Sequence, residues 1–185
     1  MSAKIITFEG IDGAGKSTLV KALHDHFTTK GLHVWSTSEP WELTTIDPDP
    51  FIATMQLMAD RRRHCKAITG TLYDIALIDR FDLSTEAYQG YGDGVDRDLI
   101  NTLNDIATEG LDVSLRILLD IPVRAAVRRL EKRGESVTAD EIARLNRVRA
   151  GYIEMAEEGW LISVDATESP EAVLCDAIAL IEEVL

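Results

Sequence analysis

Short apolar runs alternate along this chain with longer segments in which apolar residues recur every three or four positions. A short apolar run is typical of a buried strand, whereas the longer spacing is typical of an amphipathic helix. The predicted strands are Lys4 to Phe8, His33 to Thr37, Tyr73 to Ile78, Ser114 to Asp120 and Leu161 to Val164. The predicted helices cover residues 17–30, 51–68, 97–108, 122–132, 139–157 and 170–184.

This alternation predicts an α/β fold, in which a five-stranded parallel sheet is flanked by crossover helices in three layers. No linker-like segment interrupts the pattern, so residues 1–185 are interpreted as a single domain. The glycine-rich stretch from Gln89 to Gly94 is predicted to be a flexible loop. Ligands of such sheets bind beyond the carboxyl ends of the strands, where we expect the functional side chains to gather.

The first predicted strand leads into Gly10-Ile-Asp-Gly-Ala-Gly-Lys-Ser17, which has the spacing of a phosphate-binding loop. Glycines let successive backbone N–H groups converge on oxyanions, and the helix that follows points its positive dipole end at them. Lys16 adds a positive charge, and the Ser17 hydroxyl can ligate Mg²⁺. The flanking strand and helix favour a bound ATP or GTP over a plain glycine turn. The residues predicted to hold it are Gly10, Asp12, Gly13, Ala14, Gly15, Lys16, Ser17 and Thr18.

The charge balance restricts the class of partner. A net charge of −13 argues against a nucleic-acid surface, although a nucleotide needs only a local cluster of cations. The apolar runs are too short to span a membrane, and the first residues lack a signal-peptide pattern. Cys65 and Cys175 show neither metal nor redox spacing. Together these features predict a cytoplasmic protein that binds small molecules.

A second cluster of charged residues stands at the end of the third predicted strand, in Ala76-Leu-Ile-Asp-Arg80. Asp79 is expected to lie beside the phosphate loop, where a carboxylate would hold Mg²⁺ or its waters. Arg80 is placed to bind a phosphate with its planar guanidinium. A surface ion pair at a strand end is the alternative that position alone leaves open.

The stretch from Asp79 to Gly90 resembles thymidylate kinases, whose motif reads Asp-Arg-Tyr, a serine, and then Ala-Tyr-Gln-Gly. The segment from Phe8 to Thr18 is similar to the phosphate loop of that family. The resemblance covers nearly the whole chain, and it implies a P-loop kinase fold with a short lid at about residues 133–140. Further matching segments are Glu39-Pro40, Ala59-Asp-Arg61, Arg147 to Tyr152 and Asp165-Ala-Thr167.

The resemblance implies transfer of the γ-phosphoryl group of ATP to the 5′-phosphate of dTMP, with Mg²⁺. A phosphate monoester has a second pKa near 6, so this acceptor is mostly a dianion at neutral pH. The reaction then needs charge neutralisation and alignment rather than a strong base. The implied catalytic cations are Lys16, Arg80 and one arginine of the lid. The implied metal-site residues are Ser17, Asp79 and Asp12.

The resemblance also implies an acceptor site. Within it, Asp12 would lie near the 3′-hydroxyl, Arg61 would read the O4 edge of thymine, and Tyr88 would pack against the sugar. The residues alone leave an alternative to each of the last two roles. Tyr88 is also typical of an aromatic side chain in the core, and residues 61–63 are also typical of a solvated helix face. The implied substrate-binding residues are Asp12, Glu39, Pro40, Leu57, Arg61, Arg80, Phe81, Ser84, Tyr88 and Gln89.

Ala14 stands where some thymidylate kinases place an arginine in the phosphate loop. Members without that arginine carry one in the lid before Gly-Glu, which Arg133 resembles. Arg133 is therefore implied to be the transition-state arginine, and Arg129 to stack on or near adenine. An amphipathic helix with salt bridges to Glu131 and Glu135 is the alternative for both arginines.

Three positions depart from the family pattern. The chain reads Ser38-Glu-Pro-Trp41 where the family commonly has Arg-Glu-Pro-Gly, and it has Leu57 where a phenylalanine usually stacks on thymine. Leucine covers a pyrimidine face without π-stacking. We therefore expect a relaxed pocket that also accepts dUMP or a 5-modified dUMP. The family resemblance further implies a homodimer packed through helices, for which Ile52, Met55 and Met58 form either the interface or part of the core.

Two other functions are compatible with a phosphate-binding loop. A deoxynucleoside kinase phosphorylates a 5′-hydroxyl and needs a carboxylate base, for which Glu39 is the candidate. The Ala-Tyr-Gln-Gly run favours the monophosphate kinase. A non-kinase P-loop ATPase or binding module is the third reading, but the chain has no guanine-reading Asn-Lys-x-Asp of a GTPase switch.

Overall fold

The computed structural model describes residues 3–185, in which five parallel strands form one sheet in the order β2-β3-β1-β4-β5. The strands are β1 (Lys4–Glu9), β2 (Val34–Ser38), β3 (Ile75–Asp79), β4 (Leu115–Asp120) and β5 (Ile162–Asp165). The helices are α1 (Lys16–Thr29), α2 (Pro50–Gly70), α3 (Asp82–Thr85), α4 (Arg97–Thr108), α5 (Val123–Lys132), α6 (Ala139–Glu157) and α7 (Pro170–Glu182). The predicted α/β fold is confirmed.

Both faces of the sheet are covered, as the continuous apolar strands predict. Ile75 and Leu77 of β3 belong to one hydrophobic cluster, and Ala76 and Ile78 belong to another. Because successive side chains of a strand point to opposite faces, the two clusters lie on opposite sides of the sheet. All four side chains are completely buried. The helices thus enclose the strands and leave the carboxyl ends of the sheet for the site.

Side chains at the helix starts explain where several helices begin. Asp49 accepts hydrogen bonds from two N–H groups in the first turn of α2, which starts at Pro50. Thr138 and Glu141 form a reciprocal capping box at the start of α6. The Ser169 hydroxyl accepts the Ala172 N–H at the start of α7, which, like α2, begins with a proline. These caps satisfy N–H groups that have no partner within the helix.

The segment from Gln89 to Gly94 is not the flexible loop that its glycines predict. Residues Glu86–Gly92 form a π-helix that is mostly buried against α6. A Cβ atom at Gly92 would meet Val148 at 2.8 Å, and one at Gly151 would meet Tyr91 at 2.4 Å. The prediction was wrong for residues 89–92, because Gly92 permits a close approach to α6 rather than a turn, whereas Gly94 follows the helix with a φ angle of 80°.

No helix within residues 3–185 is both long and apolar enough to cross a bilayer.

Candidate active site

The phosphate loop connects β1 to α1, and Lys16 is the first residue of that helix. The Lys16 ammonium donates hydrogen bonds to the carbonyl oxygens of Gly10 at 2.9 Å and Ile11 at 3.0 Å. Only 5% of the residue is exposed, and burial lowers the pKa of Lys16 to about 8. A phosphate group in the loop would offset this loss of solvation, because an adjacent anion favours the charged ammonium.

Gly10 shows why the loop requires glycine at its start. Its φ angle is 137°, which side chains rarely permit, and a Cβ atom there would lie 2.7 Å from the Leu119 carbonyl oxygen. The loop therefore packs directly on the backbone of β4, and a larger residue would push it away.

Ser17 and Asp79 meet at the carboxyl ends of neighbouring strands, because β1 pairs with β3 in parallel register. The Ser17 hydroxyl donates to Asp79 Oδ2 at 2.5 Å. Asp79 Oδ1 is buried and has no hydrogen-bond partner among residues 3–185. A hydroxyl and a carboxylate with a free oxygen are hard oxygen ligands, which is the donor set that Mg²⁺ prefers. These two residues fit the magnesium site that the sequence predicts.

Arg80, Asp12 and Tyr88 form a connected group beside the phosphate loop. Arg80 makes an ion pair with Asp12, and its guanidinium lies 4.9 Å from the centre of the Tyr88 ring. The Tyr88 hydroxyl accepts the Asp12 N–H at 2.9 Å and donates to Asp12 Oδ2 at 3.1 Å. Burial opposes ionisation of Asp12, but the charges of Arg80 and Lys16 prevail and hold its pKa below the usual range. The structure thus brings the predicted acceptor-side and donor-side residues together.

A cleft of about 510 Å³ opens over the phosphate loop. Asp12, Lys16, Ser17, Asp79 and Arg80 line it. Further lining residues come from the end of α5 and the residue after it, from the β5–α7 connection and from α7, namely Arg129, Lys132, Arg133, Ala166, Glu168, Pro170, Val173 and Leu174. A cleft lined by both cations and apolar side chains suits a nucleoside triphosphate.

The two arginines at the end of α5 differ in their surroundings. Arg129 donates to the carbonyl oxygens of Ala14 at 3.1 Å and Ala166 at 2.8 Å, so it fastens the phosphate loop to the β5–α7 connection. Arg133 is exposed and lies 3.3 Å from Glu135, which is one of the salt bridges weighed from the sequence. Neither contact tests the nucleotide roles of these arginines, which stay predictions.

Arg61 is completely buried, so residues 61–63 do not form a wholly solvated helix face. Its guanidinium donates to Glu39 Oε2 at 2.6 and 2.9 Å, to Asn104 Oδ1 at 2.5 Å, and to Phe81 and Thr85 at 2.9 and 3.0 Å. Every nitrogen of the group therefore has a protein partner. Contact with a thymine would require Arg61 to exchange at least one of them.

Glu39 is held on both of its oxygens. Arg61 occupies Oε2, and His64 Nδ1 lies 3.0 Å from Oε1. The Trp41 ring stacks on His64 with ring centres 4.9 Å apart. The backbone N–H of Trp41 donates to Asp60 Oδ2 at 2.5 Å. A buried carboxylate with both oxygens engaged is poorly placed to deprotonate a hydroxyl. The role of Glu39 as the base of a deoxynucleoside kinase is not supported by this geometry.

The remaining residues predicted to bind the acceptor differ in how far they are exposed to solvent. Pro40 is exposed and Leu57 is half-buried, and their contact with the acceptor stays a prediction. Phe81, Ser84 and Gln89 are buried. Phe81 packs in the hydrophobic cluster of β3 and α2, and the Ser84 hydroxyl donates to Glu9. The structure does not bring these two side chains to the surface of the cleft, and direct contact with substrate is only a prediction for them.

Three further polar residues are buried and hydrogen-bonded around the site, although no sequence motif predicts a role for them. They are Glu9, Asp60 and Asn104. Each is a polar residue within or at the end of an apolar pattern. That mismatch is a usable signal, because a buried polar group needs partners. The identity of the partners is not readable from local sequence.

Comparison with known proteins agrees with this arrangement. The family model described as thymidylate kinase matches residues 8–177 of the chain. The chain belongs to the thymidylate kinase family. Membership confirms the resemblance drawn from the motifs at Phe8 to Thr18 and Asp79 to Gly90.

Individual members of the family match over most of their length. The thymidylate kinase of Geotalea daltonii is 37% identical over 187 residues, covering 86% of this chain and 87% of the relative. That of Sulfurihydrogenibium is 33% identical over 184 residues, covering 88% of each. The crystal structure of thymidylate kinase from Ehrlichia chaffeensis aligns with a TM-score of 0.77 at 26% identity, covering 98% of this chain and all of that one.

Proposed function

We propose that this thymidylate kinase family member transfers the γ-phosphoryl group of ATP to dTMP and forms dTDP. The observation that carries the proposal is the convergence of Lys16, Ser17, Asp79 and Arg80 on one cleft. The Asp12–Tyr88 pair stands beside them on the acceptor side. Donor-binding and acceptor-binding groups therefore adjoin each other, as direct transfer between two nucleotides requires.

The chemistry consists mainly of bringing two anions together. Lys16 and Arg80 would neutralise the phosphate oxygens of donor and acceptor, and both cations are held by protein partners before a ligand arrives. Preorganised charges of this kind stabilise the transition state without reorganisation during the reaction. The acceptor phosphate is mostly a dianion at neutral pH, so no side chain is required as a base.

Mg²⁺ fits the site through Ser17 and Asp79. The unpartnered Asp79 Oδ1 and the Ser17 hydroxyl would hold the ion or its waters. When bound, the ion would neutralise negative charge on the phosphate groups. Asp12 was the third predicted metal residue, but its carboxylate is engaged with Arg80 and Tyr88, which favours an acceptor-side role.

The third cation of the transition state is proposed to be Arg133. Its side chain is exposed and borders the cleft, and its contact with Glu135 is a surface ion pair that is weak enough to exchange. The proposed lid, at about residues 133–140, covers the connection between α5 and α6 and the first residues of α6. Ala14 cannot supply charge from the loop, so a cation from the lid would complete the site.

The acceptor pocket is proposed to tolerate variation at the 5-position of the pyrimidine. Leu57 covers the base face without the directional stacking of an aromatic ring. Arg61 is fully engaged by protein groups, which weakens selection at the O4 edge. The resulting expectation is turnover of dUMP and 5-hydroxymethyl-dUMP within about a hundredfold of dTMP in kcat/KM.

A homodimer packed through α2 is proposed for the assembly. Ile52 and Met55 are exposed, whereas Met58 is buried against Ile100 and Ala107 of α4. Met58 is therefore part of the core, whereas Ile52 and Met55 remain available for a dimer interface. The cytoplasmic location predicted from the sequence stays a prediction.

A coupled assay of ADP release with Mg-ATP tests the proposed reaction. We expect turnover with dTMP and none above background with thymidine, because Glu39, the candidate base, has both of its carboxylate oxygens engaged by Arg61 and His64. Turnover of thymidine in preference to dTMP would establish the deoxynucleoside kinase reading instead. Slow ADP release that is indifferent to every nucleoside monophosphate would establish an ATPase or binding module.

A further inference from the structure

Glu9 is the last residue of β1, and its carboxylate is completely buried directly before the phosphate loop. Ionisable side chains are seldom buried without partners, because water no longer solvates the charge. No part of the residue is exposed to the cleft, so Glu9 touches neither nucleotide in the proposed reaction. Its presence beside the loop requires another explanation.

Three donors from different parts of the chain converge on the Glu9 carboxylate. The backbone N–H of Phe81 donates to Oε1 at 2.9 Å. The hydroxyls of Ser84 and Tyr152 donate to Oε2 at 2.5 and 3.1 Å. The two hydroxyls hold one carboxylate oxygen, which leaves the other facing the peptide that links Arg80 to Phe81.

That peptide controls the conformation of Arg80. Arg80 has a φ angle of 70°, a left-handed conformation that is unfavourable for a residue with a side chain. Its own N–H donates to the Phe8 carbonyl at 2.9 Å, and the next N–H donates to Glu9. Because each peptide unit is planar, fixing the units on both sides of a Cα atom fixes its φ and ψ angles.

The left-handed conformation directs the Arg80 guanidinium toward Asp12 and the Tyr88 ring. It therefore determines whether the guanidinium lies in the cleft. β1 supplies both restraints on this backbone, one through a main-chain carbonyl and one through the side chain of Glu9.

We propose that Glu9 is a positioning residue for phosphoryl transfer, whose carboxylate holds the Arg80–Phe81 peptide so that Arg80 faces the phosphate groups. The inference rests on the proposed function, since it gives Arg80 the role of a cation in that reaction. Glu9 acts through Arg80 and not on the substrate.

The first test compares two substitutions of similar size, Glu9→Gln and Glu9→Met. Glutamine retains an oxygen that accepts the Phe81 N–H, whereas methionine retains the volume but no acceptor. We expect Glu9→Met to lower kcat by at least about tenfold with the ATP dissociation constant within about threefold of wild type. Glu9→Gln should keep kcat within about fivefold of wild type. Ile6→Val on the same strand is the control for a general disturbance of β1 and should leave kcat unchanged.

A double-mutant cycle separates positioning from a merely structural role. If Glu9 acts through Arg80, then Glu9→Met in an Arg80→Ala background should lower kcat by less than about threefold further. The proposal would be overturned if Glu9→Met lowered kcat by the same factor in the wild-type and Arg80→Ala backgrounds. It would also be overturned if Glu9→Met lowered kcat by less than about tenfold, or if Glu9→Gln lowered kcat as much as Glu9→Met does. If Glu9→Met fails to fold, Glu9→Asp, which withdraws the carboxylate by one methylene, takes its place under the same criteria.

Hydrogen exchange of the Phe81 amide provides a readout that needs no turnover. The amide should be protected in wild type and in Glu9→Gln, and should exchange at least about tenfold faster in Glu9→Met. Unchanged protection in Glu9→Met would contradict the positioning bond. A wild-type protein inactive toward dTMP would count against the proposed function alone, because the exchange result still tests the role of Glu9.

Discussion

The substitution Glu9→Gln is predicted to make protein stability less dependent on pH. Burial raises the pKa of Glu9 from 4.5 to about 7, despite the hydrogen bonds it accepts from Ser84 and Phe81. The folded protein therefore binds this proton more tightly than the unfolded chain does. A raised carboxyl pKa contributes stability that is fully present below about pH 4.5 and is lost as the pH rises through about 7.

The magnitude follows from the two pKa values. One pH unit corresponds to about 1.4 kcal/mol, so the difference between 4.5 and about 7 amounts to about 3 kcal/mol. About 2.5 kcal/mol of that change falls between pH 5 and pH 8. Glutamine stays neutral throughout, and the titrations of all other groups are common to both proteins. The free energy of unfolding of Glu9→Gln relative to wild type should therefore rise by about 2.5 kcal/mol over this range.

Urea unfolding of both proteins at pH 5 and pH 8 measures this difference. Ile6→Val serves as the control, because it perturbs the same strand without a titrating group and should shift stability equally at both pH values. A relative stability of Glu9→Gln that changes by less than about 0.5 kcal/mol, or that falls toward pH 8, would refute the reasoning.

Three other predictions concern the lid, the buried ion pair and the base pocket. Arg133→Ala should lower kcat by about a thousandfold with ATP binding nearly unchanged, as measured by single-turnover kinetics. Arg128→Ala, an exposed arginine on the same helix, should have no effect, and equal losses in the two variants would contradict the lid role. Glu39→Gln should destabilise the fold by about 3–5 kcal/mol in urea unfolding, because it leaves the buried Arg61 guanidinium without its counter-ion. Leu57→Phe should lower KM for dTMP by about two- to tenfold through stacking on the base, and an unchanged or raised KM would place Leu57 away from the acceptor.

Local pattern was sufficient to predict the sheet and the phosphate loop. Each of the five predicted strands lies within two residues of its observed ends. Strand signals come from consecutive apolar residues, and the loop signal comes from glycine spacing, so neither depends on distant parts of the chain. The family resemblance was drawn from the same kind of short motif, and the family model over residues 8–177 confirms it.

The surroundings of Arg61 could not be predicted in this way. Its partners Glu39 and Asn104 are 22 and 43 residues away in sequence. A run of three arginines on a helix is typical of an exposed face, and only the tertiary fold shows that the first of them is buried. Burial of a charge depends on whether partners arrive from other elements, which periodicity does not reveal.

The π-helix at Glu86–Gly92 was not predicted from the sequence, for a related reason. The local sequence predicts turn residues at Gly90 and Gly92. In the structure, the absence of a side chain at these positions lets the backbone pack closely against neighbouring helices. Glycine permits both uses, and only the packing of α6 decides between them. Gln89, one of the predicted acceptor residues, lies in the part of this helix that the sequence predicts as a loop.

Identification of the phosphorylated product tests the central claim most directly. The protein is incubated with ATP labelled in the γ-phosphate, Mg²⁺, and either dTMP or thymidine, and the labelled products are separated by chromatography. The account predicts that label appears in dTDP from dTMP, that none appears in dTMP from thymidine, and that Lys16→Ala abolishes the transfer. Label recovered only as inorganic phosphate, or transferred to thymidine, would contradict it.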